Sequence, residues 1–331
     1  MKRILFSIAL LAVFLTSVAQ QSLRFNDNGE FKIVQFTDNH YKWNKGASKT
    51  TIQCIEEVLE WEHPDFVMFT GDLVYSDHVA QSIDAVLQPL IERNMPFAFV
   101  FGNHDCQFDM DHAQFYDHIS SKPGCMMPPR RETESPDYII EVTSSNNPIS
   151  TSAVFYCLDS HAAAPKEGMG RYAWLTQSQV LWYKALSDAM KEKNNGISIP
   201  ALMFLHIPLP EVAYAYEDVN NYTIGTKGEK VCSPEMNSGM FCALKEQGDV
   251  YGVFFGHDHD NDYAVNYYDV LLAYGRYSGG KTVYNHLGSN GARVIVLKEG
   301  TKDIDSWIRL RTGETINPLS FPSEMQSQKK N

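Results

Sequence analysis

Side chains of the types that bind metal ions follow five short apolar stretches of this sequence. In chain order these side chains are Asp38, His40, Asp72, Asn103, His206, His257 and His259. Carboxylate, imidazole and amide oxygen together suit borderline or hard cations such as zinc, manganese and iron. One such residue alone is weak evidence, because most Asp and His side chains are simply solvated. Their recurrence after successive stretches indicates a shared site, large enough for two ions that activate a water and clamp a phosphoryl oxygen.

The apolar stretches have the length and composition of buried β-strands. They read FKIVQFTDNH, DFVMFTGD, PFAFVFGNHD, ALMFLHIP and VYGVFFGHDH, and SAVFYCLDS has the same form. Apolar residues at helical spacing predict helices over residues 50–62 and 78–94, and Thr176 is the predicted N-cap of a helix that runs to about Lys193. Alternating strands and helices predict an α/β fold with parallel strands covered by helices. Ligands bind at the carboxyl ends of such strands, where these polar residues lie.

The remainder of the chain is less regular. Residues 106–150 and 211–242 are polar and poorly periodic, so we expect long loops that shape a substrate cleft. The alternating segments ARVIVL and DSWIRLR predict two late strands. We expect a single domain over residues 20–331, with a disordered tail from about residue 320.

The first residues indicate export. Lys2 and Arg3 precede an apolar run from Ile4 to Phe14, and Ser17-Val18-Ala19 has the small residues of a cleavage site. This pattern predicts a signal peptide over residues 1–19 and a periplasmic or secreted protein. A membrane anchor is the alternative, but the apolar run is short for a span of about 20 residues.

The charge of the chain limits its partners. The 331 residues carry a formal net charge of −12. This balance argues against a nucleic-acid polymer, because phosphate backbones are held by clusters of Lys and Arg. A small anionic substrate is compatible with it if metal ions supply local positive charge. The sequence does not indicate an oligomeric state.

The six cysteines have no metal-binding spacing. An exported protein can form disulfides, and Cys106 with Cys125 and Cys232 with Cys242 are candidate pairs among many possible connectivities. Cys54 and Cys157 lie in apolar segments, where we expect buried free thiols.

Five ordered motifs resemble those of the calcineurin-like metallophosphoesterase superfamily. They are D-x-H at 38–40, G-D at 71–72, G-N-H-D at 102–105, a lone His206, and G-H-x-H at 256–259. The resemblance covers about residues 30–300 and implies a sandwich of two β-sheets flanked by helices, with two metal ions at the strand ends. It implies that the first metal is held by Asp38, His40, Asp72 and His259. Asp72 would bridge the two ions, and the second would be completed by Asn103, His206 and His257.

The resemblance also implies roles beside the ligands. His104 is similar to a histidine outside the metal shell that contacts the phosphate or protonates the leaving oxygen. Asp105 would orient His104 or its loop. Gly71, Gly102 and Gly256 each precede a ligand, where the chain must turn sharply and approach the metals closely.

Weaker similarities point to the purple-acid-phosphatase-like branch. The segments GRYAWLTQSQVLWY, CSPEMNSGMF and YGRYSGG resemble that branch, and Arg276 in the last of them is a candidate phosphate ligand or a surface residue of a glycine-rich turn. Purple acid phosphatases bind ferric iron through the tyrosine of G-D-x-x-Y and lack the D-x-H histidine. This sequence has both His40 and Tyr75, so either both bind a metal or one of them lies beside the ligands. The two ions could therefore be iron, zinc or manganese.

The function implied is hydrolysis of phosphate monoesters by attack of a metal-bound hydroxide. A phosphodiesterase acting on a cyclic nucleotide, a glycerophosphodiester or a lipid headgroup is the alternative, because the motifs are shared. A binding protein that has lost catalysis would lack ligands, and none is missing.

Overall fold

A six-stranded sheet supplies the first four predicted ligands. The computed structural model describes residues 22–130 and 136–325, so the predicted signal peptide lies outside the described residues. In spatial order the strands are β14 (Thr315–Phe321), β13 (Ile304–Leu310), β12 (Gly291–Lys298), β2 (Glu30–Phe36), β3 (Phe66–Thr70) and β4 (Phe97–Val100). Strands β2, β3 and β4 are parallel, and β12 to β14 are antiparallel. The carboxyl ends of the parallel strands therefore meet at one edge.

An eight-stranded sheet supplies the three remaining ligands. Its spatial order is β1 (Leu23–Arg24), β5 (Tyr138–Thr143), β6 (Thr151–Cys157), β7 (Ala201–Phe204), β9 (Val250–Phe255), β11 (Val270–Tyr274), β10 (Ala264–Tyr267) and β8 (Thr223–Ile224). Strands β6, β7, β9 and β11 are parallel. This sheet thus also directs adjacent carboxyl ends to one edge.

The two sheets pack face to face through buried aromatic side chains. Phe155 of β6 lies 6.0 Å, between ring centroids, from both Phe31 and Phe66 of the six-stranded sheet. Phe204 of β7 stacks on Phe254 of β9 at 5.6 Å within the same core. The predicted α/β fold, a two-sheet sandwich flanked by helices, is confirmed.

Six helices accompany the sheets in the described ranges. They are α1 (Lys49–Glu62), α2 (Val79–Glu92), α3 (His112–Ser120), α4 (Gln177–Lys193), α5 (Glu211–Glu217) and α6 (Met240–Gln247). The apolar face of α1, including Cys54, Ile55 and Val58, is buried in the core that contains the six-stranded sheet. Helices α4, α5 and α6 cover the outer face of the eight-stranded sheet in a second cluster. Thr176 caps α4 with a capping box to Gln179, as predicted.

The two predicted loops contain more structure than expected. Helix α3 and strand β5 lie within residues 106–150, and α5, β8 and the start of α6 lie within 211–242. These elements are too short to show a clear period, although the capping box of Asp111 with Gln114 was a usable signal for α3. The expectation of a disordered tail from about residue 320 is wrong for residues 320–325. Met325 is buried, and its carbonyl accepts a hydrogen bond from Asn266 Nδ2 at 2.7 Å.

All six cysteines are free, so the two candidate disulfides are not formed. Cys106 and Cys125 pack against the core as separate thiols, and Cys242 is exposed on α6. Cys54 and Cys157 are buried free thiols, as predicted, and burial raises the pKa of both above the usual thiol range. None of the helices within residues 22–130 and 136–325 has the length and hydropathy of a membrane-spanning segment.

Candidate metal centre

The seven predicted ligands lie in loops that follow the carboxyl ends of strands in both sheets, and these loops meet at one end of the sandwich. Asp38 and His40 follow β2, Asp72 follows β3, and Asn103 follows β4. The backbone N–H of Asp38 donates to the carbonyl of Gly71, and that of His40 donates to the carbonyl of Asp72. Two neighbouring strand ends are therefore tied together by the backbone. His206 follows β7, and His257 and His259 follow β9.

The first group of ligand atoms belongs to Asp38, His40 and His259, whose atoms lie within 4.8 Å of one another. The two histidines approach through Nε2 at 3.0 Å. Oδ1 of Asp38 lies 3.5 Å from His259 Nε2 and 3.9 Å from His40 Nε2. All three side chains are buried. Nitrogen and oxygen atoms that converge in this way form a possible cation site.

The second group consists of Asp38, Asp72 and His206, again within 4.8 Å. Oδ2 of Asp72 lies 3.3 Å from His206 Nε2 and 3.5 Å from His40 Nε2. This carboxylate oxygen therefore lies near one histidine of each group, and Asp38 belongs to both groups. The bridging role of Asp72 stays a prediction. Nδ1 of His257 lies 3.3 Å from His206 Nε2, which places it with this second group.

A buried amide oxygen without a partner supports a cation at this centre. Asn103 Oδ1 is buried and has no hydrogen-bond partner among the described residues. A buried acceptor without a partner costs about 1–3 kcal/mol. A cation next to Asn103 Oδ1 would supply the missing partner, and oxygen and imidazole ligands suit zinc, manganese or iron.

Hydrogen bonds outside the ligand set fix the tautomers of two histidines. Nδ1 of His206 donates to the carbonyl of Thr70 at 2.7 Å, and Nδ1 of His259 donates to the carbonyl of Tyr284 at 2.9 Å. Both imidazoles therefore direct an Nε2 lone pair into the centre when neutral. Thr70, the last residue of β3, and Tyr284 were not singled out from the sequence. Backbone acceptors of this kind carry no side-chain signal.

Burial sets the charge of two further histidines. It disfavours the imidazolium form and lowers the pKa values of His40 and His257 to about 3. Both are therefore neutral at physiological pH, the state in which imidazole binds a metal.

The carboxylates remain ionised despite their burial. Burial alone would raise the pKa of Asp38, but the hydrogen bond to His259 and the charge of His206 lower it to about 2. Burial likewise opposes the charge of Asp72, but the charge and hydrogen bond of His206 hold the pKa of Asp72 well below its usual value. Burial likewise opposes a charge on His206, yet Asp72 and Asp38 raise its pKa to about 10. A cation replacing that proton would meet the same two carboxylates.

Four predicted ligands have left-handed backbone conformations. The φ angles are 53° for Asp38, 41° for His40, 53° for Asp72 and 79° for His257. Non-glycine residues rarely adopt positive φ, and such strain clusters at functional sites. Each strand therefore turns sharply at the ligand, which brings the side chain back towards the sheet edge.

Close approach explains the glycines that precede three ligands. A Cβ atom at Gly71 would lie 2.5 Å from His206 Nδ1, and one at Gly256 would lie 2.7 Å from Asp38 Oδ2. At Gly102 it would lie 2.2 Å from Asp72 Oδ1. No ordinary side-chain atom fits at these distances.

We expect Gly102→Ala to lower both metal content and the midpoint of thermal unfolding, because the added methyl group displaces the Asp72 carboxylate. Metal analysis and calorimetry measure the two effects. Gly46→Ala is the control, since nothing lies within 4 Å of a Cβ atom there. Equal metal content in both variants would contradict the close approach.

Asp105 organises the loops instead of touching the imidazole of His104. The buried carboxylate accepts hydrogen bonds from the backbone N–H groups of Asp72 (2.9 Å), Leu73 (2.7 Å), Val74 (3.3 Å) and Gly102 (2.8 Å). Burial and the charge of Asp72 raise its pKa to about 8, against the effect of these donors. Of the two expected roles, the geometry favours orientation of the loop.

His104 lies beside the centre without joining the ligand groups. Its backbone N–H donates to Asp72 Oδ1 at 2.8 Å, and its ring centroid lies 5.4 Å from that of His40. The imidazole is half-buried, so a substrate could reach it. This position is compatible with a proton donor at the edge of a dimetal site.

Tyr75 packs against the imidazoles around the centre. Its ring meets His40 edge-on at 5.7 Å and His104 edge-on at 5.2 Å, and the ammonium of Lys42 lies 4.5 Å from its centroid. His40 Nε2 already occupies the position between Asp72 and His259.

Arg276 does not face the centre as a free cation. Its side chain is 3% exposed and bonds to Asp262 Oδ2 at 2.6 Å and to the carbonyls of Leu287 and Ser289. The geometry therefore supports neither alternative for Arg276, because a buried and paired guanidinium is neither a free phosphate ligand nor a surface residue. Pairing with a buried carboxylate makes it a structural residue of the glycine-rich turn.

The sequence profile of the calcineurin-like phosphoesterases matches residues 31–261. The chain belongs to this family. A relative from Arabidopsis thaliana named "Probable inactive purple acid phosphatase 14" is 30% identical, over 90% of this chain and 82% of its own. "Phosphatase DCR2" of Saccharomyces cerevisiae is also 30% identical, over 74% of this chain and 46% of its own. The structure of a dimetal phosphatase from Danio rerio covers 88% of this chain and 98% of its own, with a TM-score of 0.59 and 14% identity.

These similarities agree with the family resemblance and with its purple-acid-phosphatase-like branch. At 14% identity the Danio rerio structure shows a shared fold only. A dinuclear metal centre is a property of the calcineurin-like phosphoesterase family, and the two ligand groups are this chain's candidates for it.

Proposed function

We propose that this protein is a binuclear-metal phosphoesterase that hydrolyses phosphate monoesters. The observation that carries the proposal is the position of Asp72 Oδ2, 3.5 Å from His40 Nε2 and 3.3 Å from His206 Nε2. A carboxylate shared between two groups of metal-binding atoms is the arrangement that two-metal hydrolysis requires. Asp38, His40, Asp72 and His259 would hold one ion, and Asn103, His206 and His257 would complete the other site with Asp72.

Metal ions bound here would polarise a water molecule and neutralise the phosphoryl oxygens of a small anionic substrate. The chain's own part is to hold the ligands in a buried, strained frame and to place an imidazole next to them. His104 would give a proton to the leaving oxygen as the P–O bond breaks. Zinc, manganese and iron all suit the donor set.

The names of the relatives point in two directions. The Arabidopsis thaliana protein carries the word "inactive" in its name, and the Saccharomyces cerevisiae protein is named a phosphatase. In this chain all seven predicted ligands are present and lie around one edge of the sandwich. Their completeness favours catalysis.

Reconstituted protein tests the proposal directly. We expect metal-loaded protein to hydrolyse p-nitrophenyl phosphate with a higher kcat/KM than bis-p-nitrophenyl phosphate. A preference for the diester would overturn the monoesterase assignment in favour of a phosphodiesterase. No hydrolysis of either compound by protein with a full metal complement would favour a non-catalytic binding protein.

We further propose that Tyr75 supports the ring of His40 and does not bind a metal. The edge-on contacts with His40 and His104 support this role. We expect iron-loaded Tyr75→Phe to keep its metal content and kcat, because the ring contacts survive the loss of the hydroxyl group. Visible absorption spectroscopy is the check: a tyrosinate-to-iron band that disappears in Tyr75→Phe would make Tyr75 a ligand.

We also propose that the protein is exported. Lys2, Arg3, the apolar run to Phe14 and the small residues at 17–19 support cleavage after Ala19. N-terminal sequencing of the mature protein should begin at Gln20. Recovery of the intact N-terminus from a membrane fraction would contradict cleavage.

A further inference from the structure

A glutamine side chain contacts the imidazole of His104. Oε1 of Gln107 lies 2.8 Å from His104 Nδ1, and the Gln107 amide nitrogen donates to the carbonyl of Asn103 at 3.3 Å. Because the Asn103 carbonyl only accepts, it fixes which way the Gln107 amide points. The oxygen then faces His104, so the proton of this hydrogen bond must lie on Nδ1.

This contact leaves the opposite ring nitrogen available. Nε2 of His104 has no hydrogen-bond partner in the part of the chain that the structure describes, while the backbone N–H of the same residue is bound to Asp72 Oδ1. Nε2 is therefore the ring nitrogen that can meet the leaving oxygen of a substrate, while Nδ1 stays bonded to Gln107. The hydrogen bond made by one imidazole nitrogen determines the role of the other.

The carboxylate of Asp105 is not the acceptor for His104 Nδ1. Asp105 uses its oxygens on the backbone N–H groups of the loops after β3 and β4. The aromatic neighbours Tyr75 and His40 meet the His104 ring edge-on and restrict its tilt. Gln107 is the residue whose contact selects the tautomer.

We propose that Gln107 is a positioning residue that holds His104 with Nδ1 protonated, so that Nε2 is the atom that gives the proton to the leaving oxygen. The proposal rests on the proposed function. The donor is the imidazolium, with one proton on each ring nitrogen. In the step, its Nε2–H bond breaks and leaves the neutral Nδ1–H imidazole, an O–H bond forms on the leaving oxygen, and the P–O electrons pass to that oxygen. The product alcohol leaves neutral, and water supplies the oxygen gained by phosphate.

Kinetics on substrates with different leaving groups test this role. Gln107→Met removes the acceptor at similar size, and Gln107→Glu keeps an acceptor oxygen. We expect Gln107→Met to lose roughly tenfold in kcat on an alkyl phosphate, with little change on 2,4-dinitrophenyl phosphate, whose leaving group needs no proton. Gln107→Glu should recover most of the loss. Gln88→Ala is the control, because the exposed Gln88 side chain donates to Glu92 in the next turn of α2, away from the centre.

Two results would overturn the kinetic argument. An equal loss on both substrates, together with lower metal content, would mean that Gln107 merely supports the Asn103 loop. Wild-type kinetics on the alkyl phosphate in Gln107→Met would mean that the contact has no role in proton transfer.

Nitrogen NMR of zinc-loaded protein separates this inference from the proposed function. With ¹⁵N-labelled histidine, and His104→Asn to assign the signal, we expect the neutral imidazole of wild-type His104 to carry its single proton on Nδ1. In Gln107→Met the population should shift to the Nε2–H form. If the protein is inactive on every phosphate ester, the proposed function fails. The NMR measurement still decides whether Gln107 selects the Nδ1–H tautomer of His104. An Nε2–H tautomer in the wild-type protein would overturn the positioning role.

Discussion

Asp72→Asn is expected to lower kcat/KM for phosphate monoesters by at least about 10³-fold and to remove bound metal. Asp72 Oδ2 stands between His40 and His206, and Oδ1 accepts the backbone N–H of His104. An amide cannot provide two anionic oxygens, so the two groups of ligands keep only the negative charge of Asp38. The neutral side chain also removes the charge that raises the pKa of His206, which favours a deprotonated His206.

Asp77→Asn is the matched control for this experiment. It lies in the same loop, its side chain is exposed, and its contact is with His78 outside the centre. We expect Asp77→Asn to keep its metal content and activity. Metal analysis and initial rates on p-nitrophenyl phosphate measure both variants. Wild-type activity in Asp72→Asn would remove the basis for a bridging carboxylate.

Asp105→Ala is expected to cause the largest loss of stability. Four backbone N–H groups in the buried loops after β3 and β4 would lose their acceptor. Each buried donor without a partner costs about 1–3 kcal/mol, so we expect the free energy of unfolding to fall by at least about 3 kcal/mol. The loops carry Asp72 and Asn103, so metal content should fall as well.

Denaturant unfolding of metal-free protein isolates the structural part of this effect. Exposed Asp27→Ala serves as the control and should unfold at the wild-type midpoint. Unfolding of Asp105→Ala at that same midpoint would show that the four hydrogen bonds do not hold the loops. A loss seen only in the metal-loaded protein would assign Asp105 to metal binding alone.

The sequence predicted the ligands because their positions follow from strand ends. Asp38, Asp72 and His206 each come two residues after the end of a strand, and parallel strands bring such positions to one edge. The three long helices were predictable for a similar reason, since their apolar faces repeat over several turns.

Contacts set by the folded loops could not be predicted in this way. Arg276 lies in a glycine-rich turn, and no pattern in that turn predicts the ion pair with Asp262. The Gln107 contact with His104 depends on the tight turn after β4, where Gln107 N–H donates to the His104 carbonyl. The backbone carbonyl of Thr70 that orients His206 has no side-chain signature at all.

Metal content is the most direct test of the central claim, that Asp38, Asp72 and their histidines form a two-metal centre. Purified protein is saturated with zinc, manganese or iron, freed of unbound ions, and measured by elemental analysis beside Asp72→Asn. We predict two ions per wild-type chain for at least one of these metals, and a clear loss in Asp72→Asn. A content of one ion or less with every metal, or equal contents in the two proteins, would contradict the account.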